Sequence, residues 1–395
     1  MSLNSTPSSQ RLHIAFFGKR NAGKSALINA LTGQNLSIVS PEKGTTTDPV
    51  KKTMELLPLG PVVIIDTAGI DDEGELGALR VAKTYEVLDR TDIAVIVVDS
   101  TCGISHVEKE LITKLSARKI PYIICYNKSD LKKITPQNTN ETAVSALTGE
   151  GIENLKLLLG RFNTPKNTPL ISDLVSEGDT VVLVVPIDES APKGRIILPQ
   201  QMVIRDLLDS GAVAVVLQPE QLPTYFSNLK IPPALVVCDS QVFGKTAELT
   251  PENISLTSFS ILMLRYKLGL DSAIEASRAL DNLKDGDLLL ISEGCTHHRQ
   301  CGDIGTVKLP AMIKNYTGKD VRFEFTSGGD FPADVSKYAM VIHCGGCMLS
   351  DREVSARKLT SSRQGIPFTN YGIIISKTQG TLERSLKIFN KTANL

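Results

Sequence analysis

The feature that most restricts the fold is an eight-residue loop, Gly18-Lys19-Arg20-Asn21-Ala22-Gly23-Lys24-Ser25, set between the apolar run 11–17 (RLHIAFF) and the helical run ALINALTG. A strand entering a G-x4-G-K-S turn and leaving as a helix is the opening of a parallel α/β unit. Gly18 and Gly23 leave room for backbone amides to wrap a phosphate, and the helix N-terminus adds a favourable field. The amides available for this run through Gly18, Asn21, Ala22, Gly23, Lys24, Ser25 and Ala26. Lys24 is the group that reaches the β- and γ-phosphates, and the Ser25 hydroxyl suits Mg2+.

The next hundred residues keep the same rhythm. The apolar strand Val62-Val63-Ile64-Ile65 runs into Asp66-Thr67-Ala68-Gly69, so Asp66 can hold Mg2+ through water and Gly69 can offer its amide to a γ-phosphate. Strands are expected at 93–98 and 121–126, separated by a helical pattern. Asn127-Lys128-Ser129-Asp130 follows the second, and Ser145-Ala146-Leu147 follows a short strand (ETAV). A carboxylate at Asp130 can accept the N1 and N2 protons of guanine, which adenine lacks, and an amide near Ser145 and Ala146 can meet guanine O6. In order and spacing these residues resemble the translation-factor class of GTPases, in particular its TrmE/Era-like branch. The resemblance covers about 1–160 and implies GTP/GDP and Mg2+ as ligands. It also implies that a threonine of Gly44-Thr45-Thr46, Thr46 with Thr45 as alternative, closes on Mg2+, and that Asn21 holds an activating K+. Lys24, Thr46 and Gly69 are then the residues at the reacting phosphate. Ile70 stands where related GTPases carry a water-orienting glutamine, which implies slow intrinsic hydrolysis.

At 395 residues the chain is too long for one core. The expected fold class is α/β in three domains: a P-loop GTPase over 1–165, a small α/β dimerisation domain over 174–266 and an α/β cluster-binding domain over 267–395, with a proline-containing linker at 163–172. Lys+Arg equals Asp+Glu, so no global field recruits nucleic acid or a membrane surface. No apolar run reaches membrane-spanning length, and the polar N-terminus has no signal-peptide core. Seven cysteines, an odd number, fit a reducing cytoplasm. In the middle segment the short strands 180–186, 212–217 and 233–238 alternate with helices and carry no clustered acid, base or nucleophile. A sheet that short completes itself against a copy, so a homodimer is the expected role.

Four of the seven cysteines (Cys295, Cys301, Cys344, Cys347) and three of the five histidines (His297, His298, His343) crowd into 295–347. Cys344-Gly345-Gly346-Cys347 is a C-x2-C turn able to put two thiolates on one metal, and Cys295 supplies a third sulfur, with Cys301 as the alternative. Both ligand loops follow strand carboxyl ends, where open parallel sheets bind their ligands. Three sulfurs plus His297, His298 or His343 suit Zn2+ or an iron–sulfur cluster, and the incomplete thiolate set favours a cluster with one exchangeable position. Cys102, Cys125 and Cys238, near strand ends, read as small buried hydrophobes.

Taken whole, a TrmE-like GTPase joined to Cys-x-His … His-Cys-x-x-Cys (Cys295, His297, His343, Cys344, Cys347) resembles the HydF family of [FeFe]-hydrogenase maturation proteins. That resemblance implies a [4Fe-4S] cluster and a scaffold role. A di-iron subcluster precursor, made by radical-SAM enzymes, is held and passed to apo-[FeFe]-hydrogenase by a protein dimerised through its middle domain. The competing reading is a ribosome- or RNA-associated GTPase with a zinc module, but the tail has no basic stripe interleaved with aromatics.

Overall fold

The computed structural model describes residues 6–33, 49–71, 81, 83–162, 168–187, 196–294 and 303–392. Thr45, Thr46, Cys295, His297, His298 and Cys301 lie outside the described residues. The chain forms two compact units, Met1–Pro165 and Lys166–Leu395.

In the first unit the strands β1 (Leu12–Phe17), β2 (Val50–Leu56), β3 (Gly60–Asp66), β4 (Ile93–Asp99), β5 (Tyr122–Asn127) and β6 (Glu141–Ala143) form one sheet. Its order is β2-β3-β1-β4-β5-β6. Only β2 runs antiparallel, against β3. The interior strands are near-continuous apolar runs because both faces are covered, with Asp66, Asp99 and Asn127 at their carboxyl ends. Ile14 and Phe16 pack toward the helices Lys24–Thr32 and Ile152–Arg161, while Ala15 and Phe17 pack toward His106–Ala117. The last helix begins on a capping box, in which the Ser105 amide donates to Glu108 Oε2 at 3.0 Å. Strand β2 went unread in the sequence because Lys51, Lys52 and Thr53 are exposed and give it no apolar face. It is held by its backbone ladder and blunts the sheet edge with charge. Of the three isolated cysteines, Cys125 and Cys238 are buried as expected, but Cys102 is exposed. Cys102 falls in the turn after β4, whose amide returns to the Asp99 carbonyl, rather than in the strand itself.

The second unit holds two parallel four-stranded sheets. The first joins β7 (Thr180–Val184), β8 (Val213–Leu217), β9 (Leu235–Cys238) and β10 (Ser255–Ser258) in the order β10-β9-β7-β8. The second joins β11 (Leu288–Ser292), β12 (Arg322–Thr326), β13 (Met340–His343) and β14 (Phe368–Asn370) in the order β12-β11-β13-β14. The core of the first is completed by the end of the chain. Ile388 and Phe389, on the helix Leu382–Thr392, pack with Val181, Leu183, Val237 and Leu262. On the same helix Arg384 Nη1 donates to the Ala247 carbonyl at 2.6 Å and Nη2 to that of Pro251 at 3.0 Å, satisfying carbonyls at a helix C-terminus. The helices Phe259–Leu268 and Tyr371–Thr378 were invisible to an amphipathic search because they lie between the sheets, apolar on most sides. The helix Leu309–Thr317 is preceded by a π-turn, Ile304–Lys308.

Candidate functional site

The N-terminal loop is built to exclude side chains. A Cβ on Gly18 would lie 2.3 Å from the Val97 carbonyl oxygen, and one on Gly23 (φ 89°) would lie 2.3 Å from Asn127 Nδ2. Asn21 takes the left-handed conformation (φ 61°), which asparagine tolerates better than most residues. Lys24 Nζ donates to the carbonyls of Gly18 (2.9 Å) and Lys19 (2.8 Å), which aims its ammonium along the inside of the loop. Ser25 Oγ donates to Asp66 Oδ2 at 2.7 Å, and buried Asp66 Oδ1 has no hydrogen-bond partner. Burial raises the Asp66 pKa, opposed by the Ser25 hydrogen bond and the Lys24 charge. An orphaned carboxylate oxygen beside a serine hydroxyl fits a divalent cation, which would supply the missing partner.

Asn127 is the joint of the site. Its Nδ2 donates to the Ala22 carbonyl at 3.0 Å and its Oδ1 accepts from the Ala146 amide at 3.0 Å, so one buried side chain couples the phosphate loop to the Ser145-Ala146 loop. Lys128 (φ 64°) is fixed by an ion pair with Asp99 (2.5 Å) and by Ser100 Oγ on its carbonyl (2.7 Å). Ser145 Oγ donates to Asp130 Oδ1 at 2.5 Å, orienting the carboxylate. Asp99 and Ser100 went unread in the sequence, since neither belongs to a recognisable spacing. Gly69 and Ile70 are buried just past β3, and the Ile70 amide donates to the Gly18 carbonyl at 3.3 Å.

The cysteine loops open on the carboxyl edge of the third sheet. Ser292 and His343 are register partners at the ends of β11 and β13, so the chain leaves both strands side by side. The Cys344 amide donates to the Ser292 carbonyl (2.9 Å), and Cys344 Sγ accepts from the amides of Gly294 (3.0 Å) and Gly346 (3.3 Å). Gly294 directly precedes Cys295, so that loop departs in contact with the Cys344 sulfur. A Cβ at Gly294 would meet Leu349 Cγ at 2.8 Å, and Gly346 (φ 62°) would press one against Val354 at 2.9 Å. Both thiols are raised, Cys344 by burial against the lowering effect of its two amide donors, and Cys347 to about 11 by burial and then the Cys344 charge. A soft cation would supply the positive charge needed to deprotonate them. Among the described residues no three His, Cys, Asp or Glu side chains are gathered as a metal site. Cys344 and Cys347 are the described part of the sulfur set.

His343 departs from its expected role as a ligand. It is 1% exposed, its Nδ1 lies 2.7 Å from the Cys344 carbonyl and its Nε2 lies 3.1 Å from Arg357 Nη1. A guanidinium can only donate, so Nε2 is the acceptor and Nδ1–H donates to the carbonyl. Burial, and next the Arg357 charge, push the imidazole down to about 3, and no lone pair is left for a metal. Arg357 also donates to Ser292 Oγ (3.2 Å) and the Gly328 carbonyl (2.6 Å), tying the ends of both ligand strands together. Nearby, buried Lys267 donates to the Leu349 carbonyl (2.8 Å) and Asp351 Oδ1 (2.9 Å). Neither cation was legible as a site residue: Lys267 lies 77 residues before Cys344, and Arg357, on the helix Asp351–Arg363 that follows the cysteine turn, belongs to no recognisable spacing.

The first unit is therefore a P-loop GTPase domain, followed by two parallel-sheet α/β domains of which the last presents the Cys344-Cys347 turn at the carboxyl edge of its sheet. Family models give the same division: a 50S ribosome-binding GTPase matches residues 13–128, the hydrogen maturase F dimerization domain matches 170–268 and the hydrogen maturase F tetramerization domain matches 271–388. The chain belongs to the hydrogen maturase F (HydF) family, and it carries both oligomerization domains. The tRNA modification GTPase MnmE of Dechloromonas aromatica is 33% identical over 157 residues, 38% of this chain and 35% of that protein. GTPase Der of Mycoplasmopsis pulmonis is 43% identical over 124 residues, 30% of this chain and 28% of its own length. The chain thus spans about a third of the length of these curated relatives. A crystal structure of an Aquifex aeolicus Era variant bound to GDP·AlF4− is similar at 20% identity and a TM-score of 0.32, over 52% of this chain and 92% of that one. Among the described residues no helix is long and apolar enough to cross a membrane.

Proposed function

We propose that the chain is a cytoplasmic, GTP-hydrolysing scaffold that holds a [4Fe-4S] cluster and passes a di-iron precursor to apo-[FeFe]-hydrogenase. Cys295, Cys344 and Cys347 are its sulfur ligands. The observation that carries this reading is the Gly294 amide on Cys344 Sγ, which brings the loop leading to Cys295 against the Cys344-Cys347 turn. His297 is the leading fourth ligand, with His298 as alternative; His343 serves as a buried support for the Cys344 carbonyl. The cluster, when bound, supplies an iron with an exchangeable position at which cargo from radical-SAM enzymes can dock. The protein's part is to hold the sulfurs, shield them and donate amide hydrogen bonds to them.

In the nucleotide site, Gly18, Ala22, Gly23 and Ala26 lend the phosphates room and amides, and Lys24 neutralises charge on the β- and γ-phosphates. Ser25, Asp66 and Thr46 hold Mg2+, Asn21 holds K+, and Gly69 turns its amide to the γ-phosphate. Asn127, Lys128, Asp130, Ser145 and Ala146 frame guanine. The homodimer forms at the free edge of β8, whose Val213 and Val216 are exposed at 49% and 45%. Anaerobic iron and sulfide analysis with EPR of the reduced protein, with and without GTP, tests the reading. Four irons and four sulfides per chain with a cubane signal are expected. A colourless protein retaining one zinc would overturn it in favour of a zinc-module GTPase.

A further inference from the structure

The phosphate loop is tied to the segment beyond Gly69 by a bond that the nucleotide chemistry above does not use. The Arg20 amide donates to Asp71 Oδ1 at 2.7 Å. The carbonyl of that same peptide, Lys19 C=O, accepts from Lys24 Nζ at 2.8 Å. In a trans peptide these two groups point opposite ways. One peptide plane therefore carries the phosphate-seeking ammonium on one side and a carboxylate on the other. A second bond, from the Ile70 amide to the Gly18 carbonyl at 3.3 Å, holds the same segment down. Gly69, whose amide a γ-phosphate requires, is thus followed at once by two residues fastened to the loop.

We propose that Asp71 is a specificity-determining latch: its carboxylate holds the segment after Gly69 on the phosphate loop and is expelled by a γ-phosphate, so that the chain distinguishes GTP from GDP. This rests on the guanine-nucleotide reading above. GDP leaves the Arg20 amide to Asp71. GTP brings one further net negative charge to Lys24, which the two hydrogen bonds across that peptide place roughly 7 Å from the Asp71 carboxylate, and part of its binding energy goes into breaking the latch. At a water-like dielectric that repulsion weakens triphosphate binding on the order of threefold. Ile70 offers no hydrogen-bonding side chain, and among the described residues after Gly69 the carboxylate on the phosphate loop is that of Asp71.

The test is the ratio of dissociation constants for fluorescent GMPPNP and GDP, measured on the full chain in Mg2+ and K+ for the wild type, Asp71→Ala and Asp71→Asn. Asp71→Ala removes both charge and acceptor, whereas Asp71→Asn keeps an acceptor and loses the charge. The GMPPNP-to-GDP ratio is expected to fall about threefold in both. GDP binding within each variant reports that it is folded; should the alanine variant not fold, the asparagine variant decides. A ratio unchanged from wild type in the folded variants would overturn the latch. A wild-type chain that binds neither nucleotide would overturn the guanine-nucleotide reading itself, and the latch with it.

Discussion

Replacing Arg357 by methionine removes the cation that joins the two ligand strands while keeping most of its apolar volume. The side chain is 3% exposed and donates to Ser292 Oγ, His343 Nε2, the Gly328 carbonyl and Glu353 Oε1 at 2.6–3.2 Å. In Arg357→Met the Glu353 carboxylate, 12% exposed, loses its guanidinium, and three neutral acceptors lose a charged donor. Single hydrogen bonds to charged groups contribute about 1.5–3 kcal/mol, and breaking a buried pair costs about 3–5 kcal/mol. The terms overlap because one side chain makes them all, so the expected loss is about 3–5 kcal/mol rather than their sum. For a unit spanning Lys166–Leu395, at about 2–4 °C per kcal/mol, Tm falls by about 6–20 °C. Thermal and urea unfolding of the full chain followed by circular dichroism measures this, with GDP binding reporting on Met1–Pro165 in the same sample. Arg357→Lys should recover only part of the loss, because a single ammonium cannot span four acceptors in a plane. A loss below about 1 kcal/mol in the methionine variant would refute the claim that Arg357 holds the strand ends together.

Three further outcomes follow from the same geometry. GTP turnover in K+ should exceed that in Na+ severalfold at equal ionic strength, a difference that Asn21→Ala abolishes; equal rates in the two salts would remove the role given to Asn21. Cys344→Ala and Cys347→Ala should each eliminate the cluster's visible absorption and EPR signal yet leave GTP turnover within about twofold of wild type, and a collapse of turnover would show that the two sites are not separable. Val216→Lys, which places a charge on the exposed edge of β8, should shift the full chain toward monomer in sedimentation velocity without altering its circular dichroism. A dimer that persists would move the interface elsewhere.

What could be read without coordinates was whatever neighbouring residues encode together. The G-x4-G-K-S loop, Asp66-Thr67-Ala68-Gly69, Asn127-Lys128-Ser129-Asp130 and the apolar runs of β1, β3, β4 and β5 are contiguous patterns, and each stands where expected. Strand β2 and the helix Tyr371–Thr378 escaped, one too polar and one too apolar to show a period. Cys344 and Cys347 could be singled out by spacing, but what faces them could not. Gly294 meets Cys344 across 50 residues, Lys267 reaches Asp351 across 84 and Arg384 reaches the Ala247 carbonyl across 137. His343 shows the limit most clearly: beside a cysteine in sequence it reads as a ligand, yet the fold points its nitrogens at Arg357 and a carbonyl. The residue types and local spacing determined which chemistry this chain could host. Only the tertiary structure decided which side chains have lone pairs and charges left for it, because burial obliges every polar atom to find a partner and strand order determines which partner is within reach.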